Sequence, residues 1–269
     1  MTFLDRLLRA SRAHGSLLCI GLDPQPALMP PVSVRDFNRA IVQATQDLVC
    51  AYKPNLAFYE ALGREGLEAL EATLAAIPSG IPIIGDAKRG DVGPSAQAYA
   101  QALFEKWGFH AATVNPYLGY DALAPFFDYT ERGVFLLCRT SNPGAGDFQD
   151  LTSSPTGENP QPLFLHVARK SQEWNRHGNL GLVVGATYPE ELRQVRELCP
   201  DMPLLIPGIG AQGGDLAAAV AYGVDNQGEK AIICASRSVL YASQGRDFAE
   251  AARKEAARLR EAMYRGGTA

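Results

Sequence analysis

A single parallel (β/α)8 barrel is the fold class predicted by this sequence, and three observations carry it. Eight short apolar runs recur along the 269 residues. Most of the runs are continuously apolar rather than alternating, as strands covered on both faces must be. Segments of helical period lie between them, so β and α units alternate in the manner of a closed barrel. A chain of this length can bury a large core without disulfides or metals. The rival architecture, an open doubly wound sheet, is disfavoured because no GxGxxG turn follows the first run.

Taken in order, the predicted strands are 17–21, 49–53, 81–86, 111–115, 134–139, 180–185, 203–207 and 231–235. An extra helix over 2–13 precedes the first. Ser33 and Asp36 mark a helix start, a hydroxyl cap with an acid three residues on. Residues 61–77 carry Leu62, Leu67, Leu70, Leu74 and Ile77 at near-helical spacing. Residues 95–107 read the same way, and Gly108 is placed to stop them. An Ala/Glu/Arg-rich helix over 246–265 closes the barrel. The one break in rhythm is 144–162, GAGDFQDLTSSPTGENPQP, polar and rich in Gly and Pro. It follows strand five, so it is expected on the catalytic face as a lid, a binding loop or surface decoration. No interdomain linker is visible, and 1–269 is expected to form one domain.

Composition excludes several classes. The formal charge of −4 argues against a nucleic-acid surface, though not against a local pocket for one phosphate. Cys19, Cys50, Cys138, Cys199 and Cys234 show no CxxC spacing, and four lie in apolar runs. Buried thiols in a reducing cytosol are expected, not disulfides or a zinc site. There is neither a signal-peptide h-region after the N-terminal charges nor an apolar run of membrane-spanning length. A cytoplasmic protein with no membrane partner is expected.

In such barrels the active site lies at the C-terminal strand ends. The first three strands deliver Asp23, Lys53, Asp86, Lys88 and Asp91 to one rim. Asp86 and Lys88 are two apart, so an extended strand points both the same way. The alternative is an ordinary ion-pair network capping the barrel. Five such residues on three consecutive strand ends favour a functional site. The last two strands deliver a Gly-rich loop, PGIGAQGG, and then Ser236-Arg237. That is the phosphate position of these barrels, with backbone N–H groups and a guanidinium as donors. His14, His110, His166 and His177 all fall away from strand C-termini, which weakens any histidine base or metal site. Lys53 and Lys88 would repel a divalent cation. No catalytic metal is expected.

The LDP after strand one, the YKPN after strand two and the DAKRGD after strand three carry a resemblance. With Ser141, PGIGAQGG and Arg237 they resemble the orotidine 5′-phosphate decarboxylase family, in order, over essentially the whole chain. The variant DAKRGD and the long segment after strand five resemble its longer-chain bacterial branch. The resemblance implies a cofactor-free carbon–carbon lyase converting orotidine 5′-phosphate to UMP and CO2, the last step of de novo UMP synthesis. It implies an alternating network of Lys53, Asp86, Lys88 and Asp91, with Lys88 protonating C6. Asp23 would bind a ribose hydroxyl and Ser141 the pyrimidine amide edge. Gln212, Ser236 and Arg237 would bind the phosphate. Asp91 and Ser95 would serve the neighbouring subunit's site, so a homodimer with shared active sites is implied. Related sugar-phosphate barrels also carry DxKxxD, but they use Mg2+ and place an acid where Lys53 stands. A non-catalytic phosphate-binding barrel is the rival of a different class; binding alone does not require both lysines. Trp107, Tyr117 and Tyr120 read as packing or interface residues.

Overall fold

The computed structural model describes residues 1–154, 159–210 and 213–266. Gln212, expected at the phosphate, lies outside the described residues. Eight parallel strands form one sheet. They are β1 (Leu18–Gly21), β2 (Ala51–Lys53), β3 (Ile84–Arg89) and β4 (Ala111–Val114). Then follow β5 (Gly133–Arg139), β6 (Leu180–Val184), β7 (Leu204–Ile206) and β8 (Ala231–Ala235). The ladder runs continuously from β3 through β8 to β1 and β2. Two single bridges, Tyr52 with Ile83 and Asn55 with Asp86, close the seam between β2 and β3. The seam is thin for a chemical reason: Pro54 and Pro82 sit on it and have no N–H to give. Their carbonyls still accept, from Asp86 N at 3.0 Å and Tyr52 N at 3.1 Å. Pro82 also explains why β3 begins at Ile84 and not at the expected Ile81.

Two apolar layers hold the barrel. The outer layer packs the helices on the strands. The inner layer fills the barrel with Cys19, Ala51, Ile84, Ala111, Phe135, Val183, Leu205, Ile232 and Cys234, one or two from each strand. All five cysteines are free and buried. The N-terminal helix Phe3–His14 plugs the bottom of this inner layer with Phe3 and Leu7. Thr2 caps it, accepting from Asp5 N, and Phe3 stacks edge-on against Phe135 at 5.6 Å. Gly133 is required there, since a Cβ would stand 2.5 Å from the Phe3 ring.

Other elements follow the patterning with shifted bounds. Ser33 caps the helix Val34–Thr45, as the hydroxyl–acid spacing predicts. The helix expected over 95–107 is Gly93–Gln101 followed by a wider turn, Ala102–Lys106, before Gly108 at φ +71°. The closing helix is Phe248–Gly266. The segment after β5 has structure of its own. It contains the short helical turns Pro143–Ala145 and Gly146–Gln149 and a two-stranded hairpin, Thr152–Ser153 with Gln161–Pro162. Among the described residues no helix is long and apolar enough to cross a membrane.

Candidate active site

A cavity of about 660 Å³ opens at the C-terminal strand ends. Leu137, Val183, Leu205 and Cys234 line it from the barrel strands. Its polar walls include Asp23, Lys53, Asp86, Lys88, Ser141, Ser236 and Arg237, seven of the ten residues singled out from the sequence. Asp91 and Ser95 do not line it, and Ser95 is exposed.

The charged chain begins inside the seam. Lys53 ends β2, is 5% exposed and donates from Nζ to Asp86 Oδ2 at 2.7 Å. Asp86 is 8% exposed and receives Lys88 Nζ on its other oxygen, Oδ1, at 2.5 Å. Two ammonium groups thus flank one carboxylate. Burial opposes the Asp86 charge, yet Lys53 and then Lys88 hold its carboxyl well below the usual range. Burial likewise opposes the Lys53 charge, yet Asp86 and then Asp23 raise it above an ordinary lysine. Lys53 and Asp86 therefore stay ionised across the neutral range.

Asp86 and Lys88 converge as expected, but not by simple strand alternation. Lys88 has φ +49°, the left-handed region that side chains rarely adopt. The β3–β4 register shifts between Gly85 and Arg89 at the same place. Strain of this kind costs about 1–3 kcal/mol and persists where surroundings enforce it. One enforcing residue escaped the sequence reading. Thr113 of β4 is buried, and its hydroxyl bonds to both Asp86 and the following backbone. A lone threonine in the run AATV suits a strand by propensity, so nothing in the sequence marks it as polar machinery.

Asp23 is fixed from both sides. Its Oδ1 accepts from Asn55 N at 3.3 Å, and its carbonyl accepts from the Tyr241 hydroxyl at 2.8 Å. Tyr59 donates to the neighbouring Leu22 carbonyl at 2.8 Å. Neither tyrosine was anticipated, because each reaches the loop from a distant helical segment. On the far wall, Gly21 passes so close to Ser236 that a Cβ would meet its Oγ at 1.9 Å. Gly208 and Gly210 take φ +108° and +81°, which the tight turn after β7 requires. The segment after β5 also reaches the cavity, through Gln149. Its Oε1 accepts from Thr140 N at 2.9 Å, and its Nε2 donates to Thr140 Oγ1 at 2.8 Å. Buried Arg139 completes this corner, with Nη1 3.3 Å from Gln149 Oε1 and the guanidinium 3.8 Å over the Tyr188 ring.

The chain is similar to known proteins over nearly its whole length. The orotidine 5′-phosphate decarboxylase of Dehalococcoides mccartyi is 52% identical over 266 residues, covering 98% of this chain and 97% of that protein. The one from Thermomicrobium roseum is 52% identical over 272 residues, covering 98% and 96%. Among solved structures, Leishmania donovani OMP decarboxylase superposes with a TM-score of 0.88 at 37% identity, covering all of both chains. A family model, orotidine 5′-phosphate decarboxylase / HUMPS, matches residues 16–254. By this match over most of its length, and by relatives of about half identity, the chain belongs to the orotidine 5′-phosphate decarboxylase / HUMPS family.

Proposed function

We propose that this protein decarboxylates orotidine 5′-phosphate to UMP and CO2, the last step of de novo UMP synthesis. The observation that carries the reading is the Lys53–Asp86–Lys88 chain, two ammonium groups on one buried carboxylate at the cavity wall. The relatives at about half identity are named for this activity. The Mg2+-dependent sugar-phosphate barrels need an acid where Lys53 stands, so a lysine held cationic there disfavours them.

The chemistry follows from the charges. The bond from C6 to the carboxylate breaks, and its electron pair stays on C6 with no conjugated sink. The Lys88 ammonium stabilises that pair and then donates its proton to C6. Water returns a proton to Lys88 after product leaves. Fixed charges in a site shielded from water are the main stabilising term. Asp86 holds both lysines in place and lies beside the departing carboxylate. In the same reading Asp23 binds a ribose hydroxyl and Ser141 the pyrimidine amide edge. Gln212, Ser236 and Arg237 bind the phosphate. Phosphate binding far from C6 contributes to catalysis by ordering the site.

Asp91 and Ser95 act in a second copy's site, so the active form is a homodimer. Their absence from their own cavity wall supports this. So does the exposed apolar group Val92, Tyr117 and Leu118 on the two adjacent loops after β3 and β4. Five free, buried thiols suit a cytoplasmic enzyme. The test is the ultraviolet change on loss of orotidine 5′-phosphate. Wild-type protein should turn it over in the presence of EDTA. Lys88→Ala should show no measurable turnover while still binding UMP. An inactive wild-type protein, or a Lys88→Ala variant of wild-type rate, overturns the assignment.

A further inference from the structure

Thr113 is 1% exposed and carries the hydroxyl of the β4 run AATV. That hydroxyl makes three hydrogen bonds. It accepts from Ala87 N and from Lys88 N, each at 3.0 Å, and donates to Asp86 Oδ1 at 3.0 Å. A hydroxyl has one proton and two lone pairs, so its capacity is full. With two N–H groups on the lone pairs, the proton has one direction left, toward Asp86. The bonding partners are three consecutive residues of β3, and they include both the carboxylate and the lysine that flanks it.

The backbone needs this hydroxyl. The β3–β4 ladder shifts register between Gly85 and Arg89, and Lys88 turns to φ +49°. Thr113 satisfies the Ala87 and Lys88 N–H groups inside that irregular stretch. Both bonds are partly buried, so losing the acceptor leaves two N–H groups to compete for water. The hydroxyl therefore stabilises the turn. The turn in turn sends the Lys88 side chain back to Asp86 Oδ1, the same oxygen that receives the Thr113 proton.

We propose that Thr113 is a positioning residue for the proton donor, fixing the Lys88 backbone and the Asp86 carboxylate as one rigid unit. This rests on the function proposed above. Thr113 acts through Lys88 and needs no contact with substrate.

Thr113→Val keeps the shape and removes the hydroxyl; Thr113→Ser keeps the hydroxyl. The valine variant should lose about 100-fold in kcat, the scale of a misplaced reacting group, while KM stays within about threefold. The serine variant should recover kcat to within about fivefold of wild type. Amide exchange at Ala87 and Lys88, which is independent of turnover, should accelerate in the valine variant and stay slow in the serine variant. Should valine prevent folding, the serine and alanine variants make the same comparison, with alanine slow and serine fast. A valine variant of wild-type kcat, or equal rates for hydroxyl-bearing and hydroxyl-free variants, overturns the proposal. So does a loss confined to KM. If wild-type protein turns over orotidine 5′-phosphate and the valine variant matches it, only the Thr113 role fails. If wild-type protein is inactive, the parent function fails with it.

Discussion

Lys53 keeps its charge where water barely reaches, and Asp86 is the main reason. The Asp86 carboxyl is held low and the Lys53 ammonium high. Asp86 therefore contributes stability that is complete above its unfolded value of about 4 and lost as pH falls through its folded value. Lys53 contributes below its unfolded value of about 10.4, and that contribution is lost as pH rises through its folded value. Between those limits the pair gives a flat stability profile. Asp86→Asn leaves Lys53 buried with Asp23 as its remaining acid. Breaking a buried pair in this way costs about 3–5 kcal/mol. The folded variant then resists protonating Lys53 while the unfolded chain does not. Stability rises with pH wherever the unfolded state binds more protons. Urea denaturation should show the deficit of Asp86→Asn at pH 7 shrinking toward pH 10. A deficit constant across that range would sink the claim that Asp86 neutralises a charged Lys53.

At the scale of elements, a buried side chain helps tie the segment after β5 to the barrel. Arg139 closes β5, meets Gln149 and Asp150 at 3.3 Å and stacks on Tyr188. A desolvated cation–π contact alone contributes about 2 kcal/mol. Arg139→Met keeps the apolar stem and removes the fork. Hydrogen exchange over 144–154 should then accelerate, with little change in the strands, and Arg139→Lys should not restore protection. Unchanged exchange would mean that the segment holds itself. This element also shows what a sequence can and cannot reveal. The strand ends were legible because apolar runs stop abruptly at Asp23, Lys53, Asp86 and Ser236, and the barrel rule assigns those stops to one face. The segment's polarity marked it as unusual but did not reveal its hairpin, whose strands are two residues each. Tyr59, Thr113 and Tyr241 were invisible for another reason. Each satisfies the local preference of its element, and only the folded neighbourhood gives its oxygen a partner.

At the scale of the whole molecule, the barrel is fastened unevenly. Its bottom is plugged by Phe3 and Leu7, while its β2–β3 seam rests on two bridges and the Lys53–Asp86 pair. Near this seam β3 turns Lys88 into the cavity, and the loop that follows carries Asp91, which does not line it. Asp91 Oδ1 accepts from Val92 N at 2.8 Å and is absent from its own cavity wall. If it completes a second copy's site, two inactive chains can repair each other. Lys88→Ala retains Asp91, and Asp91→Ala retains Lys88. A heterodimer of the two holds one site with both residues intact and one with neither. Free exchange makes half of the dimers mixed, so activity should recover to about a quarter of wild type per site. The recovery should depend on subunit exchange and vanish when the two dimers are cross-linked before mixing. Full exchange, shown by mass-tagged subunits, with no return of activity would place Asp91 in its own chain's chemistry and remove the catalytic argument for a homodimer.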